Sequence, residues 1–105
     1  MQSASVDAQN NLAWILAASP DALIRDGPKA LNLAQRAQQL SGKSNPKIFR
    51  TLAAAYAENS RFQEAIDTAQ SGLDLTTAQG NTALAGMFET DLALYRTNTP
   101  LRELD

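Results

Sequence analysis

The stretch Ala55-Tyr56-Ala57-Glu58-Asn59-Ser60-Arg61-Phe62-Gln63-Glu64-Ala65-Ile66 decides the fold. Upstream of it, Phe49, Leu52, Ala53 and Tyr56 recur at helical spacing; downstream, Phe62, Ala65, Ile66, Ala69 and Leu73 do the same. Only a few polar residues separate the two stripes. Amphipathic helices joined that tightly fold back on one another, antiparallel. The small residues Ala53 and Ala65 then let the two backbones approach, with Tyr56 and Phe62 filling the flanks.

The same period extends in both directions. Asn45 as cap and Pro46 in the first turn open a helix over 46–58, and its partner runs over 61–78 until Gly80 stops it. Before them, a helix over 28–41 places Ala30, Leu33, Ala34, Ala37 and Leu40 on one stripe, and Gly42 follows as a left-handed cap. A first helix over 4–18 carries Leu12, Ala13, Ile15 and Leu16. A last one over 81–97 aligns Leu84, Phe88, Leu92 and Tyr95 beside Met87, and Pro100 ends the helical region. No segment alternates as a strand does. The reading is one all-α domain of five helices over 1–105.

The helix pairs repeat. Leu12-Ala13-Trp14-Ile15-Leu16-Ala17 aligns with Leu52-Ala53-Ala54-Ala55-Tyr56-Ala57, and Ala30-Leu31-Asn32-Leu33-Ala34 with Ala65-Ile66-Asp67-Thr68-Ala69, a displacement of 65 − 30 = 35 residues. Leu12 to Ala30 spans 18 residues against 13 from Leu52 to Ala65, so the first pair has a longer turn, Ser19 to Gly27. On these residues the chain resembles the tetratricopeptide repeat family: Phe49, Leu52, Ala53 and Tyr56, then Ala65 and Ala69, hold the family's places, with Thr77 where it closes on proline. Asn11-Leu12-Ala13-Trp14 and Leu92-Ala93-Leu94-Tyr95-Arg96 look like the closing units of longer bacterial proteins of this kind.

The resemblance covers about residues 7–78 and implies an antiparallel helix-hairpin solenoid: one repeat over about 4–41, a second over about 45–78, and a capping helix over about 81–97. Without that cap the face carrying Leu73 would meet water, and exposing three large side chains costs roughly 5–9 kcal/mol. Ser60 replaces the family's turn glycine, so the left-handed residue is expected at Asn59, and Ser60-x-x-Gln63 reads as a capping box that starts the fourth helix early. Gln9 and Leu16 stand in the first repeat's bulky and tyrosine places.

Composition narrows the function classes. Net charge is −2 with scattered basic residues, which does not suit nucleic acid. There is no cysteine and no histidine, which removes thiol nucleophiles, the usual zinc sites and every Ser-His or Cys-His pair. Gly42-Lys43-Ser44 lacks the earlier glycine and the preceding strand of a phosphate loop; Asp67 with Asp74, and Glu58 with Glu64, read as solvated helix faces; Tyr56 and Phe62 read as core. No catalytic residue, cofactor or metal is expected. The apolar run Leu12 to Ala18 is too short to cross a membrane, and Met1-Gln2-Ser3-Ala4-Ser5 lacks a basic leader start, so a cytoplasmic setting is the expectation.

What remains is interaction. The family holds peptides on the face built from the first helix of each repeat. Carried onto this chain, that face holds Asn10, Asn11 and Trp14, then Lys47, Arg50, Thr51, Ala54 and Glu58, with Asp7 at its edge. Asparagines pair with peptide backbone, Lys47 and Arg50 meet a carboxylate, and an exposed Trp14 is a hot spot. The other reading of Trp14 folds it over the long turn, onto Leu23 and Ile24. The expected partner is a peptide or protein domain; a capping or spacer segment without ligand, and a weak homodimer through exposed helix faces, are the alternatives.

Overall fold

The computed structural model describes residues 2–103, with side chains from Val6 onward. Among these residues it is all helical: α1 (Gln2–Ala18), α2 (Gly27–Ser41), α3 (Pro46–Glu58), α4 (Phe62–Ala78) and α5 (Thr82–Arg96). The ends follow from local chemistry. The Asp26 carboxylate accepts the Lys29 N–H at 3.2 Å, and the Asn45 and Asn81 side chains accept the N–H groups of Lys47 and Leu84. Gly42 and Gly80 turn the chain out of α2 and α4 with φ of 72° and 75°.

The turn between α3 and α4 departs from expectation. Ser60, not Asn59, is left-handed, with φ 61° against −94°. Asn59 is held otherwise: its Nδ2 donates to the carbonyls of Gly27 and Ala55, both at 2.8 Å, which pins the end of α3 to the start of α2. With Ser60 turned out, the Ser60–Gln63 capping box does not form, and α4 starts at Phe62 behind Arg61, whose side chain makes no capping hydrogen bond and pairs with Glu64 instead.

Consecutive helices pack on each other, and α1 also packs on α3. The short links 42–45, 59–61 and 79–81 make each neighbour reverse direction. The seam is built largely of alanine: Ala13, Ala17, Ala30, Ala34, Ala53, Ala65 and Ala69 are buried. Phe49, Tyr56, Phe62, Ile66 and Leu73 cover it while staying partly exposed. Leu12, Ile15 and Leu40, assigned by spacing to apolar stripes, are exposed; alanines beside them fill the space they would have needed.

Among the described residues helix α5 supplies the two largest fully buried side chains, Tyr95 and Phe88, with Leu92 also buried. Phe88 lies on Gly72 of α4. A Cβ at that glycine would collide with the Phe88 ring, with Cε1 at 2.6 Å, and meet the Phe49 Cβ at 2.9 Å. Beyond α5 the chain crosses back: Leu101 is buried, the Glu103 N–H donates to the Ala18 carbonyl at 2.7 Å, and Arg102 pairs with Glu58 at 2.8 Å. One of the carbonyls orphaned at the end of α1 thereby gains a partner. No helix among the described residues is long and apolar enough to cross a membrane.

Two glycines test this packing against each other. Gly72→Ala should lower stability by about 1–3 kcal/mol through overpacking against Phe88. Gly86→Ala, on the exposed side of α5 with nothing within 4 Å of its Cβ position, should raise it by roughly 0.5–1 kcal/mol through helix propensity. Thermal and urea denaturation of both variants should move in opposite directions.

Candidate partner-binding groove

The site is assembled from α1, α3, α5 and the returning tail. One cavity of about 540 Å³ is lined by Asn10, Asn11, Trp14 and Ile15 of α1, Lys47, Arg50 and Thr51 of α3, Leu84 and Met87 of α5, and Glu103. A second of about 470 Å³ adds Thr90, Asp91, Leu94, Leu101 and Arg102. Both share Trp14, Arg50, Met87 and Glu103, so they form one groove. Residues from the first halves of α3 and α5, Lys47 and Leu84, line only the first cavity, and residues from the second half of α5 and the tail, Leu94 and Leu101, only the second. The groove therefore runs along α3 and α5, which point the same way.

Arg50 stands at its centre. Its Nε donates to Asp91 Oδ2 at 2.7 Å and its Nη2 to Oδ1 at 3.2 Å. The guanidinium carbon lies 4.9 Å from the Trp14 ring centroid, and Nη1 approaches the Met87 sulfur at 3.7 Å. The Asp91 side chain is 2% exposed, so the carboxylate has left water for this one bidentate partner. The Tyr95 hydroxyl, also buried in α5, has no hydrogen-bond partner among the described residues. Burial pushes its phenol well above the usual tyrosine range, and the Asp91 charge adds to the shift.

Six of the eight residues singled out by sequence meet at the groove: Asn10, Asn11, Trp14, Lys47, Arg50 and Thr51. Four assignments change in character. Thr51 is 3% exposed and its hydroxyl donates to the Lys47 carbonyl at 3.2 Å, so it is wall rather than contact. Ala54 is 1% exposed, sunk into the helix seam where α3 receives its neighbours. Glu58 is tied at the end of α3 between Arg102, at 2.8 Å, and Arg25, at 3.5 Å. Arg50, read as free to meet a partner's carboxylate, already holds Asp91; Arg50→Glu would set two carboxylates together and break the fold rather than report on binding. Asp7 is exposed and outside the lining.

The alternative placement of Trp14 is also altered. Leu23 is 96% exposed and offers the indole no cover. Trp14 packs instead on the core from one side and under Arg50 on the other.

Sequence reasoning missed Ile15, Leu84, Met87, Asp91 and the tail as groove residues. Asp91 carried a legible signal, since it shares the helical face of Phe88, Leu92 and Tyr95, where a carboxylate requires a buried cation. The tail carried none, because its position depends on contacts with α1 and α3.

Two measurements probe this centre. Asp91→Ala should cost about 3 kcal/mol in denaturant unfolding, at the lower end for a broken buried pair because Arg50 keeps some access to water. In alkaline titration, the Tyr95 phenolate should appear only as the chain unfolds. The folded state holds this proton more tightly than the unfolded one, so the stability it contributes is complete below the ordinary tyrosine pKa of about 10 and declines above it. Ultraviolet absorbance and circular dichroism should therefore change together for this residue.

Among the described residues no group of acidic side chains is gathered closely enough to hold a metal ion. Compared with known proteins, the chain matches no family model, no curated protein and no solved structure.

Proposed function

We propose that the chain is a protein-interaction module of tetratricopeptide type that holds a peptide, or a segment of a partner domain, in the groove between α1, α3 and α5. The observation that carries this reading is the lining. Trp14, Ile15, Leu84 and Met87 form an apolar floor, and Ile15 and Met87 remain 45% and 48% exposed. Asn10 and Asn11 border it with amides, and Lys47 with an ammonium group that pairs with no carboxylate among the described residues. An apolar centre within a polar rim is the composition of a recognition surface, and a partly buried tryptophan is a common anchor in one. The helix-pair repeat supports the family assignment, and the long α5 stripe supports its reading as the cap of the second repeat.

With Arg50 committed to Asp91, an acidic group on the partner would be met by Lys47. Arg50 acts instead by fixing the Trp14 ring from one face, so that the indole enters binding already ordered. A second reading, a closing segment of a longer repeat array, has one observation in its favour. Helix α5 covers its side of the stack, while α1 leaves Leu12 and Ile15 exposed.

The test uses Trp14, the only tryptophan in the chain. Twelve-residue peptides selected from a displayed random library should shift its fluorescence saturably. Met87→Lys, at an exposed position, should weaken them at least about tenfold, the loss of roughly 1.4 kcal/mol, with helicity and melting temperature kept. Selection that yields no peptide, or peptides indifferent to Met87→Lys, would count against the groove as the binding site.

A further inference from the structure

The turn between α1 and α2 is long, yet it is closely bonded. The Ser19 hydroxyl accepts the Asp21 N–H at 3.1 Å, and Asp21 Oδ1 accepts the Leu23 N–H at 2.9 Å. The Asp21 carbonyl accepts the N–H groups of Ile24 and Arg25, while the Asp26 N–H donates to the Leu16 carbonyl at 2.9 Å. Arg25 Nη1 donates to the Ser19 carbonyl at 2.8 Å, and its Nε reaches Glu58 of α3 at 3.5 Å. This network holds Leu23 outside. Its 96% exposure is about twice that of the next most exposed large apolar side chains. A leucine held out on an ordered tip needs little further ordering to bind, which distinguishes it from an apolar residue on a mobile loop.

We propose that this tip docks into the groove of a second copy of the chain. The inference rests on the groove being a docking surface, as proposed above, and adds its occupant. The chemistry is complementary at two points. Leu23 matches the floor made by Trp14, Ile15, Leu84 and Met87. Asp21, two residues earlier and exposed, matches Lys47, and neither makes an ion pair within its own chain among the described residues.

The two charges do not pair within one molecule. The turn is fastened to Glu58 at the end of α3, and Lys47 lies 58 − 47 = 11 residues earlier on the same helix, about 16 Å away at helical rise. Tip and groove are different patches, so each copy offers one of each, and a copy whose tip is docked still has its own groove to receive a tip, from the same partner or from a further copy. The contact is small, so association belongs to high protein concentration, and a peptide that fills the groove competes with it.

Sedimentation of the whole chain tests this from about 10 μM to about 1 mM, the range where contacts of modest size associate. The weight-average mass should rise steadily with concentration. Leu23→Asp, with its groove intact, and Met87→Lys, with its tip intact, should each be monomeric alone, and their mixture should form a one-to-one pair. A wild-type chain that stays monomeric throughout overturns the inference, as does association that survives Leu23→Asp, or a mixture that stays monomeric. Library peptides titrated against Leu23→Asp separate the two claims. If they bind and the mixture does not pair, the self-docking alone fails; if they do not bind either, the groove reading falls with it.

Discussion

Asp91 lies on the buried face of α5, among Phe88, Leu92 and Tyr95, where a carboxylate is costly unless a cation reaches it. Arg50 of α3 reaches it with two hydrogen bonds, and the same guanidinium lies over Trp14 of α1. One planar group thus spaces three helices. The directionality of the bidentate pair sets how α5 sits beside α3, and stacking on the indole sets where α1 presents its face. The groove between them is a consequence of that spacing. Lysine at position 50 would lack both the fork and the flat face.

Around this polar centre the apolar packing is arranged by size. Alanines fill the seams between α1, α2, α3 and α4, so backbones approach closely and little large side-chain volume is needed there. Volume is concentrated where α5 arrives. Phe88 occupies the space left by the missing side chain of Gly72, and Phe49 closes on the same point from α3. Small residues inside and large ones at the last layer give a thin stack with one well-packed end. The other end, at α1, retains exposed Leu12 and Ile15.

The polar groups in and beside the groove separate by whether an internal partner claims them. Arg50 is bound to Asp91; Glu58 is held by Arg102 and Arg25; the Thr51 hydroxyl returns to its own helix. Lys47 and the asparagine rim are what a partner would meet. The tail contributes by fastening Glu103 to Ala18 and Arg102 to Glu58, which gives the groove a wall at the C-terminal ends of α1 and α3. Recognition by this surface, as proposed, would therefore depend more on apolar contact and shape than on charge.

The sequence by itself determined the helices. Their period, their Asn and Pro starts and their glycine stops are local properties, written within a few residues of where they act, and each boundary falls within one or two residues of its expected place. It also brought Asn10, Asn11, Trp14, Lys47 and Arg50 to one face, because repeat spacing carries a residue in one helix onto its counterpart in the next. The tertiary structure alone decided which of these are free. Asp91 claims Arg50 from 41 positions away, Asn59 takes the role that left Ser60 to make the turn, and the tail folds back to Ala18. Each depends on the separation and angle between helices, which side-chain packing sets and local propensity does not record.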